Sequence, residues 1–227
     1  MSDRRQPSRP VISTGFPVRS QITLLVAAIA LGLAGGAFWA GMSPSVPAVE
    51  VHLEATSSPG PSPFMSAGGK DRADVAPMAG LAGELPANTP GLFGVPGDGG
   101  CNAQRLAEDL QADQGRARAW ANALGVRPDT IATVTAGLTP VVLRADAGVV
   151  EHGFAGGAGT TYSAVLQAGT AVLVDDRGEP KVKCVSGNPL TAAPPFGQAN
   201  YVGAPWRYFQ PSSIAYVRPA QDRITVP

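Results

Sequence analysis

The 227-residue chain is poor in charged, aromatic, histidine and cysteine residues. Charged residues make up 15% of it and aromatic residues 6%, and the formal net charge is zero. A balanced charge argues against a polybasic nucleic-acid-binding protein. Two histidines and two cysteines leave little material for a histidine-rich or cysteine-rich metal site, so we expect no metal and no cofactor.

Glycine and proline are abundant by contrast. The chain has 28 glycines and 22 prolines, well above the roughly 12% that the two residues contribute to an average protein. Such an excess disfavours one compact domain of 227 residues. It predicts a smaller folded unit joined to loosely structured chain.

One long apolar run stands near the amino terminus. Residues 22–42 carry no charge, and a helix of that length spans roughly 30 Å, the thickness of the bilayer's hydrocarbon core. Four arginines precede the run and only one acidic residue does, so the positive-inside rule places residues 1–21 in the cytoplasm. The alternative is a cleaved signal peptide, with a weak cleavage-like site at 46–48. We expect a retained single-pass anchor and an extracytoplasmic carboxyl-terminal part.

A segment rich in proline, glycine and serine follows the apolar run. Over residues 43–87 no apolar period characteristic of a helix or a strand persists, and the stretch 57–63 reads Ser-Ser-Pro-Gly-Pro-Ser-Pro. Such a composition buries too little apolar surface to offset the entropy of ordering. The sequence therefore predicts a disordered linker over 43–87 and an extracytoplasmic domain over 88–227.

The predicted domain starts with helical patterns. Asn102 is a plausible N-cap for a first helix, and the residues 113–115 interrupt the pattern before a second helix that Gly125 ends. Pro128 suits the first turn of a third helix, which Pro140 ends.

Short strand-like runs take over after Pro140. They are separated by glycine, proline and aspartate, and residues 175–178 predict a turn between two antiparallel strands. Helices followed by strands predict an α+β fold, with short helices followed by a small antiparallel sheet.

The two cysteines lie in the part of the chain that is predicted to be extracytoplasmic. An even number of cysteines in an oxidising compartment favours a disulfide between Cys101 and Cys184, and two buried free thiols are the alternative. A catalytic thiol would lack a good partner, because His152 is the single histidine of the predicted domain.

Several sequence blocks resemble a known family. They are residues 117–120, 138–146, 152–154, 165–175, and Cys184 with 187–190. Together they resemble an actinobacterial extracytoplasmic domain family of unknown function, over about residues 90–220. The chain departs from that pattern at Ser186, where a further cysteine is expected, and at Glu151, where asparagine is usual. The resemblance implies a domain after a single membrane span, in some proteins together with a Ser/Thr kinase, and it implies no established activity.

Candidate ligand-binding residues are His152 and three aromatic residues, Tyr201, Trp206 and Tyr208. Aromatic side chains beside polar groups suit sugar or peptide binding, although they could instead close one end of the sheet. We expect a non-catalytic binding or sensing module of the cell envelope, with a cell-wall polymer or an envelope protein as partner. The alternative is an envelope hydrolase that uses His152 with Asp146 or Glu151 as acid and base.

Overall fold

The computed structural model describes residues 47–65, 69–73, 75–96 and 101–227. The predicted cytoplasmic tail and the predicted membrane span at 22–42 lie outside these residues. Within the described part, no helix has the length and apolar character needed to cross a bilayer.

Residues 47–227 form one compact unit of mixed α and β structure. Its described residues hold three α-helices: α1 (Ala103–Gln111), α2 (Gln114–Ala123) and α3 (Ile131–Ala136). They also hold eleven strands: β1 (Val49–Glu54), β2 (Gly83–Pro86), β3 (Phe93–Gly94), β4 (Thr139–Leu143), β5 (Ala147–Ala155), β6 (Ala158–Leu166), β7 (Ala171–Val174), β8 (Pro180–Lys183), β9 (Leu190–Ala192), β10 (Ala199–Val202) and β11 (Ala215–Arg218). The α+β class predicted from the sequence is confirmed.

Most helix ends lie where the sequence predicts them, but α3 ends at Ala136, before the predicted end at Pro140, and Pro140 lies in β4. The Asn102 side chain accepts a hydrogen bond from the amide of Arg105, and Asp113 caps α2 by accepting from two amides. Gly125 follows α2 with a φ of 65°, a conformation that is cheap for glycine because it has no β-carbon. Pro128 opens a short 3-10 turn that leads into α3.

Two sheets are packed face to face. The smaller one is antiparallel with the order β3-β4-β7-β8, and the residues predicted as a turn, 175–178, connect β7 to β8. The larger one follows the path β10-β1-β6-β5-β11-β2, with β9 also paired to β5.

The larger sheet departs from the small antiparallel sheet expected. Strand β1 runs parallel to both β6 and β10, and β11 runs parallel to β2 and β5. Parallel neighbours need a long connection between them. Strands β6 to β10 separate β5 from β11, and the helical region lies between the partners in the other parallel pairs. Runs of local sequence show no such long-range pairing, which is why a purely antiparallel sheet was the wrong expectation.

Successive side chains of each strand point to opposite faces of the sheet, and this divides the core into layers. In β4, Val141 and Leu143 pack between the two sheets, whereas Val142 faces the helices. In β6, Leu166 lies between the sheets and Val165 lies on the opposite face, under a layer of aromatic side chains. The order of layers is therefore helices, small sheet, large sheet and aromatic loop.

The predicted disulfide is present. Cys101, at the start of α1, is bonded to Cys184, next to the end of β8, with their α-carbons 5.2 Å apart. The bond closes a loop of 83 residues, which on the chain-entropy model stabilises the fold by roughly 4 to 5 kcal/mol. It fastens the helical layer to the small sheet.

The disordered linker predicted over 43–87 is wrong for its described residues. Strand β1 pairs on both sides, β2 pairs with β11, and Phe64 is 2% exposed. The intervening chain is also fixed, since Asp71 accepts hydrogen bonds from the amides of Ser57 and Ala171. Short strands and a loop held by side-chain hydrogen bonds need no long apolar pattern, so composition alone gave the wrong domain boundary at residue 88.

This boundary gives a first prediction. A chain that starts at residue 47 should unfold cooperatively in urea, whereas one that starts at residue 88 should show no cooperative transition. The shorter chain loses two strands of the larger sheet and one partner of a buried charge, a loss worth about 3 to 5 kcal/mol by itself. Near-ultraviolet circular dichroism at increasing urea concentration would monitor the unfolding of both chains. Equal transition midpoints for the two chains would contradict the prediction.

Candidate functional site

Three charged side chains lie between the two sheets, where the apolar core ends. Lys183 of β8 is 1% exposed, Glu54 of β1 is 2% exposed, and Glu151 of β5 is fully buried. The Lys183 Nζ donates to Glu54 Oε2 in a direct ion pair and lies 3.8 Å from Glu151 Oε1. We call these three side chains, with Asn188 and Tyr162, the buried charge network.

Local structure explains how the network is assembled. Glu54, Glu151 and Lys183 each sit at a strand position that faces between the sheets, as their neighbours Leu166, Val149 and Val172 do. Ordinarily such positions hold apolar side chains, because a buried charge without a partner is costly.

Two polar residues complete the network. The Asn188 Nδ2 group donates to Glu151 Oε1 at 2.7 Å, and its Oδ1 atom accepts from the amide of Phe64 at 2.8 Å. The Tyr162 hydroxyl lies 3.5 Å from Asn188 Nδ2. Asn188 thereby joins the network to the segment that follows β1.

That segment covers the network. At Gly60, where φ is 75°, a β-carbon would stand 2.7 Å from Glu54 Oε1 and 2.8 Å from the Tyr162 hydroxyl oxygen. Only a residue without a side chain fits so close to the carboxylate. Residues of the predicted disordered linker therefore cover the buried charge network.

The network holds fewer positive than negative groups. Burial raises the pKa of Glu151 to about 8, the nearby charge of Lys183 opposes this rise, and the charge of Glu54 and a hydrogen bond with it add to the rise. Among the described residues, Glu54 Oε1 and Glu151 Oε2 have no donor when both groups are ionised. With its pKa raised in this way, Glu151 is protonated at pH 7, and the Glu54 carboxylate alone balances the charge of Lys183. Burial is also the main reason why the pKa of Tyr162 is raised.

The three residues of the hydrolase alternative do not converge. Glu151 and His152 are consecutive in β5, so they point to opposite faces of the sheet. Asp146 is buried before β5 begins, where its carboxylate accepts from the Ala168 amide and from Trp206 Nε1. Each of the three side chains already has its own partners in a different place.

His152 lies at the edge of an open cleft instead. Its Nδ1 is 3.2 Å from the Thr161 hydroxyl and its Nε2 is 3.0 Å from the Thr191 hydroxyl. The cleft separates α2 from the β5–β6 hairpin and has a volume of about 470 Å³. It is lined by Ala119, Asn122, Ala123, His152, Gly153, Gly159, Thr160 and Thr161.

The lining of this cleft, which we call the His152 cleft, is uncharged. Burial lowers the pKa of His152 below its usual 6.5, so the imidazole is neutral at pH 7. Hydroxyl, amide and imidazole groups supply hydrogen bonds, and alanine and glycine leave the floor open. The arrangement can hold a neutral, hydrogen-bonding ligand.

A second groove is larger than the His152 cleft and, unlike it, is lined partly by charged side chains. It has a volume of about 530 Å³ between α3 and the β7–β8 turn, with apolar and charged lining. Its charged side chains pair with one another: Lys181 with Asp175 at 3.6 Å, and Arg223 with Asp176 at 2.9 Å. These pairs leave little net charge for recognition.

The predicted aromatic residues do not share the His152 cleft. Tyr201 and Trp206 each stack edge-on against Phe209, with ring centroids 5.2 and 5.1 Å apart, and they cover the outer face of the large sheet. Trp206 is further fixed by its bond to Asp146. Tyr208 is 44% exposed, with the Arg207 guanidinium 5.3 Å from its ring centroid. For Tyr201 and Trp206 the packing role is the one that the contacts support.

No group of three or more histidine, cysteine, aspartate or glutamate residues is placed to hold a metal ion, as far as the described residues go. The two carboxyl groups of the buried charge network face the Lys183 ammonium, whose Nζ contacts Glu54 and lies 3.8 Å from Glu151 Oε1.

Sequence reasoning missed Glu54, Lys183 and Asn188. One signal for strand β1 was present, since Val49, Val51 and Leu53 alternate with polar residues, but this alternation puts Glu54 on the polar face and does not reveal its burial. Lys183 alternates with Val182 and Cys184 in the same way as the partly exposed Lys181 does, and nothing local in the sequence shows that a lysine there is buried.

The structure defines a disulfide-bonded α+β domain with a charge network between two sheets. Its family is identified by a sequence profile described as "Domain of unknown function (DUF6777)", which matches residues 83–226. The match spans more than half of the chain, and the protein belongs to this family. The finding agrees with the resemblance to a domain family of unknown function. The matched region begins at β2, so β1 and Glu54 precede it.

Comparisons with curated proteins and with solved structures found no match.

The network gives a second prediction. The native protein holds the Glu151 proton up to about pH 8, whereas the unfolded chain releases it near 4.5, so the native state binds more protons between these values. The free energy of unfolding should therefore fall as the pH rises through this window, by an amount on the order of a few kcal/mol.

Urea unfolding from about pH 5 to pH 8.5 measures this dependence. In Glu151→Gln the fall should be much smaller, because the amide does not titrate. Glu108→Gln, a change on the exposed face of α1, should keep the wild-type profile. A fall of the same size in Glu151→Gln would show that other groups cause it.

Proposed function

We propose that the chain is a membrane-anchored, extracytoplasmic binding module of the cell envelope, without catalytic activity. Its ligand is an uncharged, hydroxyl-rich polymer such as a cell-wall glycan, and it occupies the His152 cleft. The observation that carries this proposal is the open cleft of about 470 Å³ lined by neutral hydrogen-bonding side chains. Hydroxyl-rich ligands need many donors and acceptors and no counter-charge.

The placement in the envelope has separate support. The uncharged run at 22–42 is long enough for a bilayer, and arginines flank its amino-terminal side. The Cys101–Cys184 disulfide favours an oxidising compartment. Arginine is far commoner than lysine in the chain, which fits the actinobacterial origin implied by the resemblance.

Binding gives a third prediction. Full-length protein in detergent should co-sediment with purified peptidoglycan, and Thr161→Val should weaken this binding roughly fivefold, because one hydroxyl contact is worth about 1 kcal/mol. Asn122→Ala should weaken it similarly. Thr133→Val is the matched control, since Thr133 is an exposed threonine of the second groove. Weakening by Thr133→Val with no effect of Thr161→Val would refute the His152 cleft as the site.

Topology gives a fourth prediction. The three lysines are Lys70, Lys181 and Lys183, and all follow the apolar run. A membrane-impermeant amine reagent added to intact cells should therefore label Lys70, which is exposed, but not a cytoplasmic marker protein. Labelling of Lys70 that appears only after lysis would contradict the proposed orientation.

A further inference from the structure

The buried charge network holds the two reactants of an amide bond in contact. The Lys183 Nζ atom touches the Glu54 carboxylate, and both side chains are at most 2% exposed. An amine attacks only in its neutral form, so the ammonium proton must first pass to the Glu54 carboxylate, with which Nζ is in contact. A neutral amine is a nucleophile, and a carboxylic acid is its electrophile.

Geometry removes the entropic barrier to their reaction. Each partner lies on a strand of a packed sheet, Glu54 on β1 and Lys183 on β8, so neither can move away. Groups held in such contact react as if at very high concentration. Gly60 and the segment around it exclude water from the carboxylate, which hinders the reverse hydrolysis.

We propose that Lys183 and Glu54 form an intramolecular isopeptide bond, with Glu151 as the proton relay. Glu151 is suited to this role by position, since its Oε1 is 3.8 Å from Lys183 Nζ. Asn188 holds Glu151 in place at 2.7 Å.

The step balances without any co-reactant. After the ammonium proton passes to the Glu54 carboxylate, the Nζ lone pair adds to Cδ of Glu54 and the carbonyl oxygen takes a proton from Glu151. The Glu151 carboxylate then removes a proton from the nitrogen and returns one to a hydroxyl group. That hydroxyl leaves as water when its C–O bond breaks, and the Glu151 carboxylate takes the proton of the remaining hydroxyl, which becomes the amide carbonyl. One C–N bond forms, one water molecule is released, nothing is oxidised, and Glu151 ends protonated as it began.

An ion pair at this place is costly because both of its charges are buried, and the isopeptide bond would remove that cost. It converts two buried charges into a neutral amide and removes one of the carboxylate oxygens that lack a donor. It also ties β1, where the chain enters the domain, to β8, one residue before the disulfide at Cys184. Burial still raises the pKa of Glu151 in the linked protein, so the direction of the pH dependence is the same.

Intact mass spectrometry of the full-length protein, reduced and denatured, tests the proposal. The expected mass is lower than the sequence mass by one water molecule, and a protease digest should contain a branched peptide that joins the chain around Glu54 to the chain around Lys183. A full sequence mass, with the two segments in separate peptides, would overturn the proposal. So would a loss of ammonia, or a branch at Asn188 or Glu151.

Variants test the roles of the residues. Lys183→Arg should restore the full mass, while Lys181→Arg, a neighbouring lysine outside the network, should keep the loss of water. Glu151→Gln should abolish or slow the loss, because an amide relays protons poorly. Undiminished linkage in Glu151→Gln would overturn the relay role. Should a variant fail to fold, the wild-type mass and its branched peptide still decide the main claim.

Discussion

The ammonium group of Lys183 lies between two β-sheets, and the rest of the fold is arranged to compensate its charge. A lysine that points between the sheets cannot reach water, so a carboxylate must meet it there. Glu54 meets it from β1 in a direct ion pair, and Glu151, whose pKa burial raises to about 8, approaches it from β5. This requirement brings the amino-terminal segment into the domain and makes the glycine- and proline-rich loop after β1 its cover.

The packing of the two sheets around the buried charge network also positions the His152 cleft and the aromatic loop. Strand β5 carries Glu151 on its inner face and His152 on its outer face, so the network and the His152 cleft share one strand. The helical layer, fastened by the Cys101–Cys184 disulfide, forms the other wall of the cleft through α2. The aromatic loop covers the remaining outer face of the large sheet, where Trp206 satisfies the buried carboxylate of Asp146.

Local signals in the sequence predicted what depends on local physics. The cap at Asn102, the break between two helices at 113–115, the turn at 175–178 and the disulfide are set by side chains close in sequence or by an even cysteine count. The boundary at residue 88 failed, because β1 is stabilised by partners more than a hundred residues away. Glu54 and Lys183 could not be paired from sequence, since no periodicity reports which charged residues the topology brings together.

Hydrogen exchange of the full-length protein tests most directly whether β1 belongs to the core. If the Glu54–Lys183 contact ties the segment in, the β1 amides should exchange as slowly as those of β6, which pairs with it, and should open only with global unfolding. Fast exchange of β1 beside a protected β6 would mean that the segment is an appendage. It would also mean that the fold does not depend on the buried charge pair.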